Sequence, residues 1–160
     1  MRKSIIAILM TFCLSIMTYA QTPRDRATEL KEQAQSSLNQ KDYIKARYLF
    51  KKAYEAFATR ENYPQAIECG VQANALYVRE NFYKEGFELC RDMDQLIWAG
   101  EQNQKKVFYD LRFLVNKERL QMYTALKNPA QAKTQLNKLE ETANLAKNDS
   151  LTEVLLYTKA

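Results

Sequence analysis

The sequence predicts an all-α protein made of antiparallel helical hairpins. Only three Gly and three Pro occur in 160 residues, so little of the turn chemistry that a β-sheet needs is present. Apolar residues also return at steps of three and four, which is the spacing of one face of a helix. The clearest case is the segment 42–57, where the repeating apolar positions are Tyr43, Ala46, Phe50, Ala53 and Phe57.

Residues 1–20 have the pattern of a secretory signal peptide. Arg2 and Lys3 form a charged start, an apolar run follows, and Ala20 supplies a small residue suited to cleavage. The apolar run is about fourteen residues long, shorter than the roughly twenty that span a bilayer. We therefore expect a cleaved Sec-type signal, a periplasmic or otherwise exported protein, and a single helical domain over 21–160. An uncleaved anchor is the alternative.

The first hairpin joins two helices through the polar turn "NQKD". Thr22 followed by Pro23 predicts the start of the first helix, because Thr caps helices and Pro suits the first helical position. The helix ends near Asn39, and the second helix runs from Tyr43 to about Arg60. The inward residues predicted for the first helix are Ala27, Leu30, Ala34 and Leu38.

The second hairpin begins with the third helix, which has Pro64 at an early helical position and continues to Glu80. Its second helix runs from Phe82 to Ala99, and Gly100 is predicted to end it, since glycine is the usual residue just beyond a helix. The predicted inward residues are Ile67, Val71, Ala75 and Val78 in the third helix and Phe82, Gly86, Leu89, Met93 and Leu96 or Ile97 in the fourth.

Three further helices complete the chain. The fifth is predicted over 105–126, and the sixth follows Asn128 and ends around Lys147. Ser150 with Glu153 forms a capping-box pattern for a seventh helix that continues to the last residue. The predicted inward residues are Val107, Leu111, Leu114 and Val115 in the fifth helix and Ala132, Leu136, Leu139, Ala143 and Ala146 in the sixth.

Every second helix carries the same pattern of small and large residues. In an alignment of these helices Ala46, Gly86 and Ala132 coincide, and four positions later larger residues follow: Phe50, Cys90 and Leu136. A small residue where two helices cross lets their backbones approach closely. The recurrence indicates an internal repeat of helical hairpins.

The repeat resembles the tetratricopeptide-repeat (TPR) family, most clearly at Tyr43, Ala46, Phe50 and Ala53 and in the segment "KDYIKA". The resemblance implies hairpins stacked as a right-handed, TPR-like solenoid that binds a protein or peptide. The spacing here is 40 residues from Ala46 to Gly86 and 46 from there to Ala132, whereas the family repeats about every 34 residues. A compact helical bundle is the alternative fold.

Exported helical hairpins also resemble the N-terminal sensory regions of some Bacteroidota histidine kinases and helix-turn-helix regulators. This resemblance implies a periplasmic sensor of a larger signalling receptor, continuing beyond residue 160. In that case a downstream span or an uncleaved signal would supply the membrane connection. The alternative function is a complete small periplasmic scaffold or assembly chaperone. The sequence leaves the oligomeric state open.

The sequence gives no pattern that indicates catalysis, a cofactor or a metal. It contains no His, no Cys-x-x-Cys and no Gly-rich phosphate loop. The neighbouring carboxylates Glu140 and Glu141 diverge on a helix, as do Asp92 and Asp94, so neither pair converges on one substrate. Basic and acidic residues are interspersed, so the net charge of +5 creates no concentrated field for nucleic acid. We therefore expect that the protein is not an enzyme and does not bind nucleic acid.

Two further features concern single side chains. Cys69 and Cys90 would lie in an oxidising compartment, yet their helical positions favour buried free thiols over a disulfide. In a TPR-like solenoid the first helix of each hairpin lines the concave side. This register predicts a binding groove that could take an acidic or extended peptide, formed by Lys31, Gln35, Gln72 and Arg79. Ordinary solvated helix surface is the alternative for each of these four residues.

Overall fold

The computed structural model describes residues 25–159, and this part of the chain contains seven α-helices and no strand. The predicted all-α class is therefore confirmed. The predicted signal peptide and the helix start at Thr22 lie outside the described residues. The helices are α1 (Arg26–Asn39), α2 (Tyr43–Ala58), α3 (Tyr63–Arg79), α4 (Tyr83–Gln104), α5 (Tyr109–Ala125), α6 (Pro129–Ala146) and α7 (Asp149–Lys159).

Each helix packs against the next along the chain, and α3 also packs against α5. The buried apolar residues form two clusters. The larger cluster draws on α1 to α5, and the smaller one on α5, α6 and α7. Helix α5 belongs to both, because Val115 and Met122 face the larger cluster while Phe113 and Leu120 face the smaller. It therefore joins the two parts of the core.

Small buried residues recur at one position of successive helices. Ala46, Ala66 and Gly86 are each twenty residues apart and buried. Each follows its helix cap by four residues and donates its backbone N–H to the cap carbonyl, at 2.9 to 3.0 Å. A Cβ atom on Gly86 would lie 2.8 Å from the Met122 sulfur. In these three helices the small residue therefore recurs once per helix and turn, with a period of twenty residues.

Four of the turns between helices share one backbone geometry. In each, a left-handed residue donates its N–H to the carbonyl three residues earlier, and the next residue donates to the carbonyl five residues earlier. This is the Schellman arrangement, which usually places glycine at the left-handed position. Here that position is never glycine, and the four residues are Lys41, Glu61, Asn81 and Lys127.

The predicted end of the fourth helix at Gly100 is wrong, because α4 continues to Gln104. Gly100 is buried inside the helix, and a Cβ atom there would lie 2.8 Å from the Phe108 ring and 3.0 Å from the Tyr63 ring. The absence of a side chain at Gly100 thus lets these two aromatic rings approach the helix backbone closely. The turn is made instead by Lys105, which adopts the left-handed conformation.

The predicted capping box at Ser150 is also wrong. The side chain of Asn148 accepts the Ser150 N–H at 3.0 Å, and α7 begins at Asp149. Among the predicted inward residues, most are buried or half-buried. The exceptions are Ala75, Phe82 and Val107, which are exposed. In α3 the buried face is turned away from Ala75 and includes the polar residue Asn74, which an apolar pattern does not reveal.

Candidate functional site

The structure places the four predicted groove residues on α1 and α3, but with intramolecular partners. Lys31 of α1 donates hydrogen bonds to Gln65 and Glu68 of α3, each at 2.8 Å. This bridge links the side chains of the two helices. The amide of Gln35 donates to Asn39 within α1 at 3.1 Å.

Arg79 and Gln72 lie on α3. The guanidinium of Arg79 stacks over the Tyr43 ring, 3.8 Å from its centroid, and Gln72 is exposed. The two predicted cations, Lys31 and Arg79, are therefore engaged within the fold. None of the four residues lines the groove described next.

A groove of about 420 Å³ opens between α4, α5 and α6. We call it the Trp98 groove and define it by Asp94 and Trp98 of α4, Arg112 and Arg119 of α5, and Lys138 and Leu145 of α6. Three helices contribute to it, so its shape depends on the packing of α5 against both neighbours. A site built on helices is positioned more precisely than one built on loops.

Trp98 is the dominant apolar side chain of this groove. It is the only Trp of the chain and is 63% exposed, while Leu145 across the groove is 56% exposed. Its neighbour Ile97 is buried and holds α4 against the core. Trp, Tyr and Arg are the side chains that most often anchor protein–protein contacts, and Tyr109 and two arginines line the same groove.

Arg112 is held in place by a nearly buried carboxylate. Its Nε atom donates to Glu101 Oε1 at 2.7 Å, and a terminal nitrogen pairs with the other carboxylate oxygen. Glu101 Oε1 also accepts the Phe108 N–H at 2.9 Å. The hydrogen bond from Arg112 lowers the pKa of Glu101. The pair leaves further N–H groups of a half-exposed guanidinium free to bind a ligand.

The second arginine links α5 to α4. Arg119 donates to Asp94 Oδ2 at 2.5 Å and to Asn116 at 3.5 Å. Both arginines of the groove are thus paired with carboxylates, and Lys138 is opposed by Glu141 among the lining residues. The groove is therefore close to electrically neutral, with an apolar anchor and fixed hydrogen-bond donors. These properties suit a protein segment better than a polyanion.

The two cysteines among the described residues are buried, and neither lines the groove. Cys69 on α3 and Cys90 on α4 are both free thiols. Burial raises the pKa of Cys69 to about 11 and that of Cys90 to about 12. Both thiols are therefore protonated at neutral pH and unsuited to act as nucleophiles. This arrangement agrees with the interpretation of the two residues as buried free thiols.

A buried polar pair lies between α3 and α5. Asn74 donates from Nδ2 to Glu118 Oε2 at 2.9 Å, and both side chains are buried. Burial raises the pKa of Glu118, and the hydrogen bond from Asn74 opposes that shift. The Oδ1 atom of Asn74 has no hydrogen-bond partner among the described residues. The pair belongs to the helix packing rather than to the groove.

No helix within residues 25–159 has both the length and the apolar character needed to cross a membrane. The same residues contain no group of three acidic, Cys or His side chains placed to hold a metal ion.

No known protein family, curated protein or solved structure matches the chain.

The Trp98 groove is not among the sites predicted from the sequence. One signal could have found it: Trp98 lies about 100° around the helix from Ile97, off the apolar stripe that Cys90, Met93 and Ile97 form. A large aromatic residue outside the core-facing stripe has no obvious partner within its own hairpin.

Proposed function

We propose that this protein is an exported, non-catalytic helical-repeat module that binds a protein or peptide segment in the Trp98 groove. The observation that carries the proposal is the exposure of the only Trp in a groove whose floor holds two arginines fixed by carboxylates. Burying an exposed Trp side chain on binding supplies a large apolar contact, and fixed arginines add hydrogen bonds at small entropic cost.

The proposal includes a right-handed, TPR-like stack of hairpins. Its support is the packing of α3 against α5 as well as between chain neighbours, together with the bridge from Lys31 to α3. The repeated turn geometry and the twenty-residue recurrence of small residues add to it. In such a stack each hairpin covers the next, and grooves form where neighbouring helices diverge.

The cellular role that we propose is the periplasmic part of a signalling receptor. It rests on the predicted signal sequence and on the resemblance to exported sensory regions. A test of export is the N-terminal residue of the chain recovered from the periplasm of an expressing bacterium. Gln21 at the N-terminus is expected, and an intact Met1 on cytoplasmic protein would contradict export.

Binding in the groove can be tested without knowing the natural partner. A random peptide library displayed on phage is selected on the full chain, and the enriched peptides are measured against variants. We expect Trp98→Ala to weaken binding by about thirtyfold, as for a central anchor residue. Tyr157→Ala is the matched control, since Tyr157 is an exposed aromatic residue on α7.

Unchanged binding by two groove variants would oppose this proposal. Peptides that bind Trp98→Ala and Arg112→Ala as tightly as the unaltered chain would place the binding site elsewhere. Circular dichroism of each variant establishes that the helices are retained, so that lost binding is not confused with lost folding.

A further inference from the structure

The outer face of α2 carries a second set of exposed side chains, distant in sequence from the Trp98 groove. We call it the α2 stripe and define it by Ile44, Lys45, Tyr48, Lys51 and Lys52. Each of the other four positions is three or four residues from Tyr48, so the five side chains lie along one side of the helix. Ile44 is 70% exposed and Tyr48 is 61% exposed, which places two large apolar groups in solvent side by side.

The positive charge of the stripe is only partly neutralised. Lys52 pairs with Glu55 at 2.7 Å and lies 5.9 Å from the centre of the Tyr48 ring. Lys45 and Lys51 are exposed and have no ion pair with another described residue. One unpaired lysine thus remains available to a partner on each side of Tyr48.

The stripe borders a concave surface. A cavity of about 400 Å³ is lined by residues of the stripe together with Arg47, Tyr77 and Glu55, and Glu55 is the partner of Lys52. Arg47 is fixed there, because it pairs with Glu80 and stacks over Tyr77 and Phe82 at 4.9 and 5.1 Å from the ring centres. A bounded hollow of this kind fits a peptide chain better than a flat bilayer surface.

We propose that the α2 stripe docks an acidic peptide segment of a partner protein. In this arrangement an apolar side chain of the segment covers Ile44 and Tyr48, and its carboxylates pair with Lys45 and Lys51. The charge complementarity identifies the chemistry of the partner, since the unpaired charges of the stripe are all positive. The proposal is independent of the proposed function, because the stripe shares no residue with the Trp98 groove.

The test uses a labelled synthetic peptide of Glu and Leu at helical spacing as the probe, with the full chain. We expect saturable binding by fluorescence anisotropy that weakens as salt rises from about 50 to about 300 mM. The double variant Lys45→Glu/Lys51→Glu should lose at least about tenfold in affinity, and Tyr48→Ala a similar amount. The emission of Trp98 should not change, which separates this binding from that in the Trp98 groove.

The matched control is Lys106→Glu/Lys133→Glu, which changes the net charge equally at exposed positions outside the stripe. An equal loss in this control would show general charge attraction and overturn the proposal. So would the absence of saturable binding. Stripe-dependent binding to phosphatidylglycerol vesicles in place of the peptide would also overturn it, in favour of a membrane surface.

Discussion

Asn74 of α3 donates a hydrogen bond to the carboxylate of Glu118 on α5, with 2.9 Å between Nδ2 and Oε2. The two residues are 44 positions apart in sequence and almost completely buried. Among the described residues no cation forms an ion pair with this carboxylate, and its neighbour Arg119 binds Asp94. A protonated Glu118 could donate to the Oδ1 atom of Asn74, which otherwise lacks a partner. Burial, which outweighs the opposing effect of the Asn74 hydrogen bond, thus favours the neutral acid at the α3–α5 packing.

This contact predicts how stability depends on pH. Because burial raises the pKa of Glu118 in the folded state, the folded state holds this proton more tightly than the unfolded state. The contribution of Glu118 is therefore fully present at low pH and is lost as pH rises from the unfolded pKa through the raised folded value. Glu118→Gln should remove this loss and stabilise the protein near pH 8 by on the order of 1 kcal/mol.

Urea unfolding of the full chain near pH 5 and near pH 8 measures the effect. Glu88→Gln is the control, because Glu88 is exposed on α4. If the stability of Glu118→Gln kept the pH dependence of the unaltered chain, the buried acid would not be the cause of that dependence.

The ion pair of Glu101 and Arg112 predicts the opposite dependence. The hydrogen bond from Arg112 lowers the folded pKa of Glu101, so its contribution is present above the unfolded pKa and is lost as pH falls through the folded value. Glu101→Gln should destabilise the protein by about 1–3 kcal/mol at pH 7. The deficit should shrink toward pH 3 in urea unfolding experiments. A deficit that stayed constant over this range would contradict the assignment.

Gly100 predicts a steric penalty. An added Cβ atom would lie 2.8 to 3.0 Å from the rings of Phe108 and Tyr63, and Tyr63 is almost fully buried. Gly100→Ala should therefore destabilise the protein by about 1–3 kcal/mol, although alanine favours helices by about 1 kcal/mol. Gln102→Ala, at an exposed position of the same helix, should be neutral or slightly stabilising. Thermal unfolding compares the two, and a stabilised Gly100→Ala would refute the close approach.

The left-handed turns predict a gain from glycine. Lys127 adopts a positive φ of 53° without being glycine, and such a residue pays a steric cost that glycine avoids. Lys127→Gly should stabilise the chain by about 0.5 kcal/mol. Leu126→Gly should destabilise it, because Leu126 has a negative φ of −76° and gains nothing from the extra freedom. Chemical unfolding distinguishes the two, and the reverse order would contradict the turn geometry.

Local pattern was enough to predict the helices but not their partners. The three- and four-residue spacing of Phe50, Ala53 and Phe57 locates α2 and its buried face within two residues. The helix end predicted at Gly100 is wrong because the role of this residue is set by Tyr63, on another helix. Lys127 adopts a left-handed turn that its residue type does not favour. The TPR-like stack, export and the binding role stay predictions.

The candidate site depends on contacts that no short segment contains. Trp98 lies in a groove that α4, α5 and α6 line together, and the fixed position of Arg112 follows from Glu101 eleven residues earlier. The four residues predicted for the groove came from helix register alone. Register cannot show that Lys31 already binds α3 or that Arg79 already stacks on Tyr43.

The proposed function requires that the Trp98 side chain is exposed in the free protein and covered by a bound segment. Acrylamide quenching of tryptophan fluorescence tests it directly, because the signal comes from this one residue. We predict strong quenching in the free full chain and markedly weaker quenching when a selected peptide saturates it. Weak quenching in the free chain, or quenching that a saturating peptide leaves unchanged, would contradict the account.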